Sequence, residues 1–195
     1  MGYKGFPMMW FLFFLGMMAA SIEAAPILTL MPSDLQGFRS STVGWGFTIT
    51  NDGNYIEITS AQFCINPQSL PACAAPAGGV FNDFISNFND IIVGPPGGTL
   101  PSSVSQNFSL ASHTGIGSFA IGPLSPLFTL DTGAIVLTYN ITDRDPLDPN
   151  AVFVGSGVIS ANASVLVTLP EPAAMLPVGV VLVGIGVALG KRRTS

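Results

Sequence analysis

The chain has 195 residues, with 11 Asp and Glu against 6 Lys and Arg, a formal net charge of −5 and a mean hydropathy of +0.56. A length of this order fits one domain. So acidic a balance excludes a nucleic-acid binder, whose affinity depends on neutralising phosphates, and a single His with two Cys leaves little for a metal or redox centre.

The chain opens with Lys4 and the N-terminal amine as a weakly basic start. Met8 to Ala20 is then apolar, and small residues follow through Ala25. This is the pattern of a secretory signal peptide. About thirteen apolar residues are too few for a lasting membrane span. Cleavage is expected after Ala24, with Ser21 as the alternative, and residues 1–24 are set apart from the fold. Between Ala25 and Pro172 only Arg39 and Arg144 are basic. They face Asp34, Asp52, Glu57, Asp83, Asp90, Asp131, Asp143, Asp145, Asp148 and Glu171. Such an anionic body should stay soluble and repel other polyanions.

Residues 25–169 are predicted to form one exported domain. Thr42 to Thr50 alternates, with Val43, Trp45, Phe47 and Ile49 on one side, which predicts a half-buried strand. Asn51-Asp52-Gly53-Asn54 reads as a hairpin-type turn with Gly53 at positive φ. Tyr55 to Cys64 alternates again, with a slip near Ser60 that predicts a bulge. Phe84, Ile85, Phe88 and Ile92 have helical spacing, so one or two helical turns are expected between Phe81 and Ile92. Gly94-Pro95-Pro96-Gly97-Gly98 is a break. Further strands are expected at Val104 to Leu110, Gly117 to Ile121, Ala134 to Thr142, Ala151 to Ile159 and Ala163 to Leu169. Many short strands with polar outer faces predict a mainly β fold, an antiparallel β-sandwich of jelly-roll or Ig-like type. Gly 22 and Pro 16 together stay below the level of a disordered chain.

Cys64 and Cys73 flank a turn-rich segment, and in an exported chain such a pair is most simply a disulfide. Chemistry is otherwise sparse. His113 stands alone in Ser112-His113-Thr114-Gly115, more a polar loop residue than a general base. There is no Gly-x-Ser-x-Gly elbow, no phosphate loop and no dinucleotide fingerprint. No pair of carboxylates stands out for glycoside hydrolysis, and a surface hydrolase is kept only as a lesser alternative.

The segment Asp143-Arg144-Asp145-Pro146-Leu147-Asp148-Pro149-Asn150 places Asp143, Asp145, Asp148 and Asn150 close together after a strand. Hard oxygen ligands on a tight loop can hold Ca²⁺. The EF-hand Gly and terminal Glu are missing, and Asp-Pro steps are ordinary turn chemistry. The expectation is a solvated turn and no cofactor. Sequons occur at Asn107, Asn140 and Asn162. They keep open a eukaryotic type I membrane protein; a glycolipid-anchor signal is disfavoured by the cations that close the sequence.

Pro170-Glu171-Pro172 is followed by an uncharged apolar run from Ala173 to Gly190, then by Lys191-Arg192-Arg193. The run is about 18 residues, roughly 27 Å as a helix, which just covers a hydrocarbon core. The three cations stop transfer and favour the cytoplasmic side. The two prolines keep the tripeptide extended at the surface, where a processing enzyme can grip it.

This order of tripeptide, short apolar helix and basic cluster resembles the PEP-CTERM sorting signal of Gram-negative bacteria, over residues 170–195. Pro177 within the run and Thr194-Ser195 after the cations depart from it slightly. The resemblance implies an exosortase-type membrane enzyme that cuts near the tripeptide. It also implies export through the inner membrane, a transient anchor facing the periplasm and a final place at the cell surface or in the matrix. Association with exopolysaccharide and biofilm is implied in the same way. The expected function is therefore a non-catalytic exported β-domain, with a carbohydrate-binding module or an ordinary single-pass anchored protein as alternatives. An exposed Trp45 or a rim of tyrosines would favour the carbohydrate-binding alternative.

Overall fold

A computed structural model describes residues 25–65, 67, 73–88 and 90–170. The N-terminal segment 1–24 and residues 171–195 lie outside the described residues, and with them the expected signal peptide and the apolar run 173–190. The described chain is mainly β. Its strands are β1 (Ile27–Met31), β2 (Asp34–Phe38), β3 (Thr42–Thr50), β4 (Tyr55–Cys64), β5 (Gly79–Asp83), β6 (Ile91–Val93), β7 (Ser103–Gln106), β8 (Gly117–Ile121), β9 (Leu130–Thr142) and β10 (Phe153–Thr168). One helical turn, α1 (Ile85–Phe88), interrupts them.

The strands form two sheets. The first has the order β1-β3-β8-β5, with β7 also pairing β3; the second has the order β2-β10-β9-β4-β6. β3 is the organiser of the first sheet. Its first half, Thr42 to Trp45, pairs with β8, and its second half, Phe47 to Thr50, pairs with β7. Along its other side it pairs with β1. One sheet thereby curls into a half-barrel.

The predicted alternation in β3 and β4 is present, and its inward residues meet across the two sheets. Trp45, Phe47, Ile49, Ile56, Ile58, Phe63, Phe119, Ile135, Leu137, Val165 and Val167 belong to one buried cluster. Trp45 of β3 packs on Phe63 of β4 at 5.2 Å between ring centroids, and Phe63 meets Phe119 of β8 edge-on at 5.8 Å. Burial of each such side chain contributes roughly 1.5–3 kcal/mol. Gly44 lies on the other face of β3, where a Cβ would run into the ring of Phe108. That close approach explains a glycine inside a strand.

Several expectations change. The turn 51–54 is not a hairpin: β3 and β4 belong to different sheets, so these residues cross between layers. Buried Asn51 organises the crossing. Its Nδ2 donates to the carbonyls of Asn54 (2.5 Å), Gly94 (3.3 Å) and Val93 (3.4 Å), and its Oδ1 accepts the Gly53 N–H at 3.2 Å. Among the described residues the positive-φ glycines are Gly97 and Gly115, not Gly53. The two strands expected at 151–159 and 163–169 are one 16-residue strand, β10, because Asn162 and its neighbours continue the ladder with β9 without a break. The pairing is not wholly antiparallel, since β2 runs parallel to β10 from Asp34↔Ser164 to Phe38↔Thr168. β7 ends at Gln106, short of the expected Leu110, and β9 begins earlier, at Leu130. The expected helical turn is found as α1, flanked by β5 and β6, which were not expected. The slip near Ser60 is present as a register shift between Ile58 and Ser60.

Candidate functional site

The chain leaves the fold at the end of β10. Thr168 pairs with Phe38 of β2, and on the other side the preceding Val167 donates its N–H to the Thr129 carbonyl at 2.9 Å and accepts from the Phe128 N–H at 2.8 Å. Leu169 and Pro170 follow, both exposed. Pro170 is thus the described member of the predicted processing tripeptide. Glu171, Pro172, Lys191, Arg192 and Arg193 lie outside the described residues. Among the described residues no helix is long and apolar enough to cross a membrane.

Around this exit the structure gathers side chains that the sequence does not mark as related. Phe38 precedes Arg39, whose Nε donates to the Ser125 carbonyl at 2.7 Å. Ser125 adjoins Leu124, and its hydroxyl donates to the Gly78 carbonyl at 2.6 Å. Leu130 pairs with Leu166. Phe38, Leu124, Phe128, Leu130 and Leu169 are all exposed. Phe128 has a φ of 63°, in the left-handed region that bulky residues avoid. No local pattern could have found this set, because its members come from three separate stretches of chain.

Cys64 and Cys73 form the expected disulfide. Cys64 is buried beside Ala134 and Val136 of β9, and the bridge holds Cys73 against the same cluster.

The acidic turn is occupied by its own backbone. Asp143 Oδ1 accepts the Val152 N–H at 2.9 Å and its Oδ2 accepts from Arg144 Nη2 at 3.4 Å. Asp145 Oδ1 accepts the Leu147 N–H at 2.9 Å. Asp148 Oδ1 accepts the backbone N–H of Asn150 at 2.8 Å and its side-chain amide at 3.1 Å. These bonds favour the ionised forms and hold the carboxyls of Asp143 and Asp148 below the ordinary aspartate range. The Val152 N–H is the main cause for Asp143, and the Asn150 N–H for Asp148. Among the described residues no group of three or more His, Cys, Asp and Glu is arranged to hold a metal ion.

His113 lies in a turn with a φ of 51°. Its ring stacks on Phe88 at 4.3 Å and meets Phe84 edge-on at 5.2 Å. Together with Asp83 and Leu110 they line an open groove of about 500 Å³. Asp83, the carboxylate of that groove, is used structurally. Its Oδ1 caps α1 by accepting the N–H groups of Ile85 (2.8 Å) and Ser86 (3.3 Å), and its Oδ2 accepts the Ala61 N–H at 2.9 Å. Trp45 is fully buried, and its Nε1 donates to the Ser33 carbonyl at 3.1 Å. Tyr139 is buried as well. Neither ring is a platform for a sugar.

The chain matches no protein-family model, no curated protein and no solved structure.

Proposed function

We propose that the protein is an exported, non-catalytic β-domain that is tethered for a time by the apolar run Ala173 to Gly190 and released by cleavage near Pro170-Glu171-Pro172. The processing enzyme is of exosortase type, as the resemblance of residues 170–195 to PEP-CTERM signals implies. The destination is the cell surface or extracellular matrix, and the partner class implied there is extracellular polysaccharide.

The observation that carries this reading is where the core stops. Every buried core side chain among the described residues lies between Leu28 and Val167, and the last strand is paired with β9 up to Leu166 and with β2 up to Thr168. Cutting at the tripeptide would remove nothing from that core. At the other end β1 begins at Ile27, three residues after the expected signal-peptide cleavage at Ala24. Two sheets around one core support reading the body as a β-sandwich of jelly-roll or Ig-like type, with β2 as a parallel addition. Burial of Trp45 and Tyr139 takes two of the rings that would have favoured a carbohydrate-binding module away from the surface, while Tyr55 stays half-buried with its hydroxyl bonded to Thr99.

The test is mass spectrometry of the C-terminus of exported material, with and without the processing enzyme. A chain ending near Glu171 is the expected result. Exported or membrane-bound chain that keeps Lys191-Arg192-Arg193 whether or not the enzyme is present would leave an ordinary single-pass anchor and overturn the proposal.

A further inference from the structure

We infer that the end of the domain around Phe128 is a lipid-seating surface, on which the body rests against the bilayer while the tripeptide is presented for cleavage. The inference rests on the tether reading above and adds a second, separate contact with lipid.

Tether length supplies the first argument. Five residue steps separate Thr168, the last residue of β10, from Ala173, where the apolar run begins. Fully extended they reach at most about 18 Å. With the run in the bilayer, the end of β10 is therefore held within about 18 Å of the hydrocarbon edge, two to three headgroup layers, at high effective concentration.

What that end displays supplies the second. Leu124 is 89% exposed and Phe128 68%, and Phe38, Leu130 and Leu169 are exposed beside them. Isolated apolar residues on a surface are ordinary, but a set that rings one point is a sign of contact. Arg39, also exposed, is fixed among them by its bond to Ser125 and suits an anionic headgroup. The β9 carboxylate at this end, Asp131, is buried, with both oxygens accepting backbone N–H groups. The acidic turn is at the far end of the same hairpin, where Thr142 pairs with Phe153. The 13 residues of β9 hold it roughly 40 Å away. Charge is thus sorted along the long axis in the sense a bilayer at the Phe128 end requires; Leu147, Val152, Phe153 and Val154 are exposed at the far end too, but there they stand among the carboxylates of the acidic turn, which an anionic headgroup layer repels.

Backbone conformation supplies the third. Phe128 keeps its left-handed φ because its N–H is tied to Val167 and the following Thr129 N–H is tied to Pro126 at 3.4 Å. Strain of this kind persists where the surroundings impose it and gathers at working surfaces. Here it holds a phenyl ring outward, next to the point where the chain departs. Aromatic and leucine side chains of this sort enter the boundary between headgroups and acyl chains by about 5–10 Å.

The experiment uses the chain from Ala25 to Ser195, without the expected signal peptide and its apolar stretch, in phosphatidylethanolamine/phosphatidylglycerol vesicles, with Phe128→Trp as the reporter. The unsubstituted chain gives the background from Trp45. Flotation with the vesicles tests the tether by itself; failure to float overturns both readings. In chain that floats, the Phe128→Trp signal is expected to shift to shorter wavelength and to be quenched by lipids brominated high on the acyl chain. A solvent-like, unquenched signal in floating chain overturns the seating surface and leaves the tether intact. A shifted but unquenched signal means that protein covers this end, a second copy if it follows the protein-to-lipid ratio and the chain itself if it does not; either overturns the inference. Leu169→Trp provides the same readout should Phe128→Trp fail to fold.

Discussion

Asp131 Oδ2 accepts the backbone N–H of Gly78 at 2.7 Å, with the carboxylate buried at the seam between the two sheets. Its Oδ1 takes the neighbouring Ala77 N–H at 3.0 Å. Asp131 belongs to β9 of the second sheet and Gly78 leads into β5 of the first, so a single side chain ties the layers at the end where the chain departs. A Cβ on Gly78 would stand 2.8 Å from that same oxygen, which is why the position holds glycine.

Truncating this tie exposes its worth. Asp131→Ala leaves two buried N–H groups without their acceptor, and bonds to a charged group are worth about 1.5–3 kcal/mol. The expected loss of unfolding free energy is about 2–3 kcal/mol by urea titration. A loss under about 0.5 kcal/mol, the range of an ordinary surface change, would mean that the seam does not depend on it.

Trp45 fills the centre of the core, and its indole N–H is bonded to Ser33. Trp45→Ala should cost about 3–5 kcal/mol, as large aromatic truncations do. Trp45→Phe should cost less while still removing the bond to Ser33. Near-ultraviolet circular dichroism and thermal melting follow both. A Trp45→Ala protein that melts unchanged would contradict the packing described.

Reduction of Cys64–Cys73, or the double change to Ser, releases a loop with a sequence separation of 9. The chain-entropy argument gives a loss of about 2–3 kcal/mol. The midpoint of denaturation should fall on adding reductant, and the same reductant should leave the Ser variant unmoved. A midpoint indifferent to reductant would show that this loop adds no constraint.

The acidic turn makes a pH prediction of definite sign. Asp143 and Asp148 have folded-state pKa values depressed below the ordinary range, chiefly by the Val152 and Asn150 N–H groups. A depressed value means that the carboxylate's contribution is complete above the unfolded value of about 4. It is then lost as pH falls through the lower folded-state value. Carboxyl carbon NMR titration should find both midpoints below that of an unstructured aspartate. Midpoints at or above it would show that the turn bonds are not held in solution.

How much could be read in advance follows the range of the interactions. Alternation in 42–50 and 55–64 revealed β3 and β4 because it is a local property of a half-buried strand, and the Ser60 slip was visible as a break in that period. β1 and β2 were missed although Leu28, Leu30 and Leu35 alternate inward, since each run is only 5 residues and sits beside the expected signal peptide. The join at Asn162 was read as a gap because Asn and Ser favour turns, yet an unbroken β9 ladder overrides that preference. The cysteine pairing and the helical turn were legible; the surface around Phe128 was not.

What the sequence determined by itself is the β character of the body, from side-chain period; hydrophobic length and charge are the ground on which the roles of its two ends are proposed. What only the tertiary structure decided is which strands share a sheet. Asn51-Asp52-Gly53-Asn54 has the composition of a hairpin, but the Asn51 amide finds its carbonyl partners at Asn54, Val93 and Gly94 and sends β4 to the opposite layer. The same long-range pairing buries Trp45 and draws Phe38, Leu124, Phe128 and Leu169 to one end. Period is a property of neighbours along the chain; a partner some forty residues away becomes a neighbour only once the core has closed.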